Sequence, residues 1–312
     1  MKFKRLVVLD KVVMTRDQEK KIRSLANKVE IYNDIPKEKK EITKRIDSTD
    51  AIITSWVDID KEILDSAKEL KYIGLWSTGY GWVDIKYANQ KGITICNVPD
   101  YATESVAELL FGQLLALLRH TRDADAHVRQ GKYNFEKFLG EELKNKTVGI
   151  IGLGRIGKRV AEMAKAFKMN VVYFSRTRKP DLESKEVKFV DLETLIRTSD
   201  IVTLHTDVKK LWIGKKEMSM MKDDAIIANL QVDGVVDENA LLENFKKGRL
   251  NAILDCLKDK NICSEFDEFR DRVILSPHIG FYTKQALNNL TQICIENAKN
   301  YLEGRVQNKV IL

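Results

Sequence analysis

The chain has 312 residues, 44% hydrophobic and 32% charged, which is globular composition with room for about two domains. Its net charge of +7 comes from lysines set in short pairs among acidic residues, such as Lys39 with Lys40 and Lys246 with Lys247. That is the pattern of solvated helix faces, so a nucleic-acid partner is excluded, while the basic balance suits anionic cofactors and carboxylates.

From the N-terminus, short β-rich runs alternate with amphipathic helical stretches. Strands are predicted at 6–9, 29–31, 51–54, 72–75 and 94–96, with a helix over 61–67 capped by Asp58 or Asp60. Asp10 and Lys11 break the first apolar run, so no signal peptide is read. A long helix over 104–119 follows; its apolar stretch contains Glu108 and Gln113 and is too short to cross a bilayer, so no membrane partner is expected and the location is cytoplasmic. The charged segment 121–146 leads to a second series of strands at 148–151, 171–174, 201–204, 225–229, 252–255 and 273–275, six in number. A last helix over 284–302 cannot form a domain alone and is read as returning to the first series. The four cysteines have no metal spacing, and no metal site is expected. The fold class is therefore α/β with two doubly wound parallel-sheet domains. A discontinuous, flavodoxin-like domain takes residues 1–100 and 284–312, and a Rossmann domain takes 101–283.

The second series opens on a strand that runs into Gly152-Leu153-Gly154-Arg155-Ile156-Gly157 and then a helix. Gly152 permits a tight turn, Gly154 lets backbone approach a pyrophosphate, and Gly157 lets helix and strand pack closely. The helix N-terminus, with Arg155 and Ile156, then faces the phosphates. An NAD site expects a carboxylate at the end of the next strand for the ribose 2′-hydroxyl; here stand Ser175, Arg176 and Thr177. A hydroxyl beside a guanidinium suits a 2′-phosphate, which favours NADP(H) and leaves NAD(H) open.

The chain resembles the D-isomer-specific 2-hydroxyacid dehydrogenases along nearly its whole length. The resemblance rests on Ser77-Thr78-Gly79-Tyr80-Gly81-Trp82-Val83-Asp84, on Tyr101 to Glu108, on the glycine loop, on Leu254-Asp255 and on Ser276-Pro277-His278-Ile279-Gly280. The turn Ser175 to Lys179 is similar to that of the NADP-using glyoxylate and hydroxypyruvate reductases of the family. By this resemblance Ser77, Thr78, Gly79 and Tyr80 receive the carboxylate of a small substrate, and His278 is the acid/base. Asp255 holds the nicotinamide carboxamide, and Thr103, Thr206, Leu230 and Gly280 complete the cofactor site. The helix and arm after residue 101 imply a homodimer. Of the four histidines only His278 has a motif around it; His120 and His127 read as surface groups, and His205 as a cap, a packing group or a site-lining residue.

The sequence also departs from the family. An arginine is expected where Val232 stands, and a glutamate where Lys260 stands. Valine cannot bind a carboxylate or polarise a carbonyl, and a lysine disfavours imidazolium where a carboxylate would favour it. Lys260 is left as a possible carboxylate anchor, and Asp259 as a possible replacement for the glutamate. The loop after the third strand, from Thr206 to Leu211, is short and lacks the family's proline. Two readings follow. One is an oxidoreductase acting on a 2-oxo or 2-hydroxy acid or a related carbonyl compound with an altered site. The other is a catalytically silent nucleotide-binding sensor or scaffold.

Overall fold

Runs of aliphatic and β-branched residues make strands that are buried on both faces, and the helices between them force parallel pairing. The computed structural model describes residues 1–206, 210–231 and 234–311, and the chain divides into Met1–Tyr101 with Thr283–Leu312, and Ala102–Tyr282.

The first unit runs β1 (Phe3–Val8), α1 (Arg16–Ser24), β2 (Ala26–Ile31), α2 (Lys39–Ile46), β3 (Ala51–Thr54), α3 (Lys61–Ser66), β4 (Tyr72–Leu75), α4 (Ile85–Gln90) and β5 (Thr94–Cys96). Local chemistry starts the helices: Thr15 and Gln18 form a capping box on α1, and Asp60 and Asp84 accept the N–H groups of Ile63 and Tyr87. The sheet is parallel in the order β2-β1-β3-β4-β5, the flavodoxin-like order. Val7, Ile52, Ile73 and Ile95 from the strands pack with Ile42, Ile46, Ile63 and Leu64 from the helices.

The second unit contains α5 (Thr103–Leu118), α6 (Thr121–Arg129), β6 (Thr147–Ile151), α7 (Arg155–Ala166), β7 (Asn170–Phe174), β8 (Val187–Phe189), α8 (Leu192–Thr198), β9 (Ile201–Leu204), α9 (Lys215–Met220), β10 (Ile226–Asn229), α10 (Glu238–Lys246), β11 (Asn251–Leu254) and β12 (Val273–Leu275). Its strands are ordered β12-β11-β10-β9-β6-β7-β8, all parallel. Alternate strand residues feed two cores, Val202, Ile227 and Leu254 on one face and Ile201, Ile226 and Ile253 on the other. Among the described residues the sheet has seven strands and not the six expected. β8 has only three residues with Lys188 at their centre, too short a run to read as a strand, yet it pairs with Val171, Val172 and Tyr173 of β7. It is the third strand of the doubly wound order, and β12 is an addition at the far edge.

The last helix, α11 (Lys284–Leu302), belongs to the first unit. Thr283 caps it, Trp76 donates its indole N–H to Thr291 at 2.9 Å, and Gln18 donates to the Asn288 carbonyl at 3.0 Å. No described helix is long and apolar enough to cross a membrane.

Candidate active site

Loops that leave the carboxyl ends of parallel strands share one sheet edge, and a crevice opens where the strand order reverses. In the second unit that point lies between β6 and β9. Gly152 has φ 98°, and a Cβ there would lie 2.2 Å from the His205 carbonyl oxygen. A Cβ on Gly157 would lie 2.1 Å from the Gly152 carbonyl oxygen, whereas at Gly154 it would meet nothing within 4 Å. Two glycines thus let backbone pack on backbone, and the third leaves open space at the N-cap of α7. Arg155 is exposed on the first turn, and Ile156 leans on the core. The arrangement fits a dinucleotide, whose phosphates would take the N–H groups and positive dipole end of α7.

Beyond β7, the Ser175 hydroxyl donates to the Thr177 carbonyl at 2.7 Å and closes its own turn. Arg176 and Thr177 are exposed. Arg178 is held in a two-pronged pair by Glu183, at 2.7 and 2.8 Å, which keeps that carboxyl below the usual glutamate range. No carboxylate stands among residues 175–179.

The chemical end gathers at β11 and β12. Asp255 is 2% exposed and accepts the N–H groups of Ile279 at 2.9 Å and Gly280 at 2.8 Å, together with the hydroxyl of Ser276. Ser276 in turn receives Gln113 at 3.0 Å. The Asp255 carboxylate therefore fastens the loop that carries His278. His278 itself is exposed, with φ 56°, and its N–H donates to the Asp255 carbonyl at 2.9 Å. Its Nδ1 lies 2.8 Å from Cys256 Sγ, and its ring meets that of Phe281 with centroids 5.5 Å apart.

Val232 lies outside the described residues. Lys260 is exposed at the start of a 3₁₀ turn, and Asp259 caps that turn by accepting the Asn261 N–H at 2.9 Å. Among the described residues neither is bonded to the His278 ring. Leu230 is buried after β10, Thr206 is half-buried after β9, and Thr103 opens α5. His205 is buried and bonds Thr203 Oγ1 through Nε2 at 2.9 Å. His127, expected at the surface, is 7% exposed and bonds Asn134 at 2.6 Å, because α6 packs it against Phe138.

In the first unit the order reverses between β1 and β3. Asp10, fully buried past the end of β1, accepts Thr54 Oγ1 at 2.7 Å and the N–H groups of Ser55 and Trp56 at 3.1 and 2.9 Å. Burial raises its pKa against those donors. Ser55 then bonds the Trp76 carbonyl at 3.0 Å, tying the loops after β3 and β4 together. In the second of these, Ser77 Oγ donates to the Gly79 carbonyl and Thr78 Oγ1 to the Val98 carbonyl, each at 2.7 Å. The N–H groups of Thr78, Gly79 and Tyr80 donate to no described acceptor, which suits them to a carboxylate. Ser77 is half-buried and the other three are exposed.

Two side chains carry more of this geometry than the sequence reading gave them. Asp10 reads in the sequence only as a break in an apolar run, and Cys256 only as one of four cysteines without metal spacing. Their signal was position: each is a polar or reactive group at the carboxyl end of a buried strand.

Residues 111–280 match the family model for the D-isomer specific 2-hydroxyacid dehydrogenase, NAD binding domain. The chain is 37% identical over 278 residues to a glyoxylate reductase of Thermococcus litoralis, an alignment spanning 85% of this chain and 84% of the relative. Among solved structures, an acyclic imino acid reductase in complex with NADPH and D-Arg is 30% identical, with TM-score 0.89 over 98% of this chain and 100% of that one. A D-lactate dehydrogenase of Aquifex aeolicus, complexed with NAD and lactic acid, is 26% identical, with TM-score 0.83 over 96% of both chains. With the glycine loop at one strand end, a histidine loop fastened at another, and likeness along almost the full length, the chain belongs to the D-isomer-specific 2-hydroxyacid dehydrogenase family.

Proposed function

We propose that this protein is an oxidoreductase that reduces a small 2-oxo acid, or oxidises the matching 2-hydroxy acid, with NADP(H) as the favoured cofactor. The observation that carries the reading is His278, held by its own backbone on the Asp255 carbonyl while Asp255 fastens the rest of its loop. A bound nicotinamide would supply the hydride. The protein's part is to seat the pyrophosphate on the first turn of α7, receive the substrate carboxylate on the N–H groups of residues 78–80, and protonate the nascent alkoxide from His278. The absence of a carboxylate among residues 175–179, with Arg176 and Thr177 exposed there, supports a 2′-phosphate. We further propose a homodimer, with the exposed Tyr133, Phe135 and Leu139 beyond α6 as its apolar contact.

A second reading has a specific observation behind it. The imino acid reductase likeness, together with a histidine that no described carboxylate supports, favours a carbon–nitrogen double bond as substrate. A protonated imine already carries its proton and places less demand on the acid.

The test is NADPH oxidation with glyoxylate, hydroxypyruvate, pyruvate and larger 2-oxo acids, each with and without ammonia or an amine. His278→Ala should lower turnover of 2-oxo acids by about 10²–10⁴-fold while NADPH still binds. Full activity in that variant would remove His278 as the acid. Turnover only when amine is present would select the imine reading, and tight NADPH binding without any turnover would leave a nucleotide-binding protein without chemistry. Arg176→Ala should weaken NADPH binding roughly tenfold or more and leave NADH little changed; equal losses for both would refute the 2′-phosphate role.

A further inference from the structure

Among the described residues no carboxylate is bonded to the His278 ring, yet the ring is held. Its Nδ1 lies 2.8 Å from Cys256 Sγ and its face is tilted against Phe281. We propose that Cys256 is the positioning residue of His278, its sulfur occupying Nδ1 so that Nε2 is the nitrogen offered to substrate. This rests on the reading of His278 as the acid.

Cys256 is 8% exposed and directly follows Asp255 at the end of β11. Asp255 takes the His278 N–H on its carbonyl and the loop N–H groups on its carboxylate, so two consecutive residues fix first the backbone and then the ring. Both are titratable side chains bonded to this loop. Asp255 is already filled by Ser276, Ile279 and Gly280.

A thiol suits Nδ1 in both states of the ring. When the ring is cationic the sulfur accepts Nδ1–H, and it keeps accepting that proton when the ring becomes neutral, which leaves Nε2 as the nitrogen that exchanges its proton with substrate. In the protonation step the Nε2–H bond breaks and an O–H bond forms on the substrate oxygen. The ring is left neutral with its remaining proton on Nδ1, facing sulfur, and the sulfur is neither oxidised nor reduced. Unlike a carboxylate, the thiol orients the ring without adding a full negative charge. Partners of this kind on a functional histidine fix tautomer and ring orientation, and losing one costs roughly 10–100-fold in function.

The experiment compares the full-length protein with Cys256→Ser and Cys256→Val. Long-range ¹H–¹⁵N spectra of histidine-labelled protein report the tautomer, with the His278 signals assigned by their loss in His278→Ala. The wild type and Cys256→Ser should show a single neutral tautomer with its proton on Nδ1, and Cys256→Val a mixture of both. With NADPH and the best substrate, Cys256→Val should lose roughly tenfold in kcat with a displaced pH profile and KM for NADPH changed less than about twofold; Cys256→Ser should recover most of the loss. An unchanged tautomer and pH profile in Cys256→Val overturn the proposal. If that variant does not fold, Cys256→Ala takes its place in the same comparison. The spectra need no turnover, so failure of every substrate would strike the proposed reaction and leave the pairing measured on its own.

Discussion

His205 directly follows β9 with 6% of its surface exposed, and its Nδ1 has no partner among the described residues. Burial pushes its pKa down to about 4, so the folded protein keeps the ring neutral. The unfolded chain binds the proton near pH 6.5, so stability is full above that value and is lost progressively as pH falls toward 4. The total is on the order of 3 kcal/mol, from roughly two and a half pK units. Denaturant unfolding of the wild type and of His205→Gln should therefore diverge in slope with pH between about 6.5 and 4, the variant being the flatter. Parallel curves would mean that the ring is already protonated in the fold. The sequence placed His205 at a strand end but could not choose among cap, packing and site, because burial comes from the neighbouring loops. Cys256 shows the same limit: its distance from His278 bridges residues 22 apart in the chain.

Among the elements, the glycine loop was the most legible, since strand, glycines and helix are contiguous. Local signals also set helix starts, as at Thr15, Asp60 and Thr283. The cost of losing the third glycine follows from geometry. A Cβ at Gly157 would meet backbone, 2.1 Å from the Gly152 carbonyl oxygen, so α7 must move away from the loop. Gly157→Ala should cost about 1–3 kcal/mol as an overpacked contact. It should also weaken NADPH binding by about tenfold or more, because the N–H groups that receive phosphate move with the helix. Calorimetry and titration check both, and an unaltered affinity would place the phosphates elsewhere. β8 escaped the sequence reading because three residues with a central lysine carry no period; pairing with β7 alone makes them a strand.

At the scale of the molecule, the exposed side chains between α6 and β6 carry the prediction. Tyr133, Phe135 and Leu139 are 93%, 82% and 89% exposed, three large apolar side chains on one segment that water does not favour. Light scattering should give twice the chain mass, and changing Tyr133 and Phe135 together to Ser should shift the mass toward that of one chain. A wild-type monomer at micromolar concentration would end the proposal. The return of α11 to the first unit followed from one physical premise, that an amphipathic helix at the end of a chain must bury its face on a finished core.

The sequence by itself determined the α/β class, the parallel strands and the glycine loop. All of these are written in contiguous residues or in residue identity at a motif position. Only the tertiary structure decided what the remaining groups do. Asp255 turned inward to fasten a loop, Asp259 became a cap, and Cys256 took the nitrogen of His278. Hydrogen bonds between distant residues depend on where each chain segment ends in space, and no local pattern encodes that.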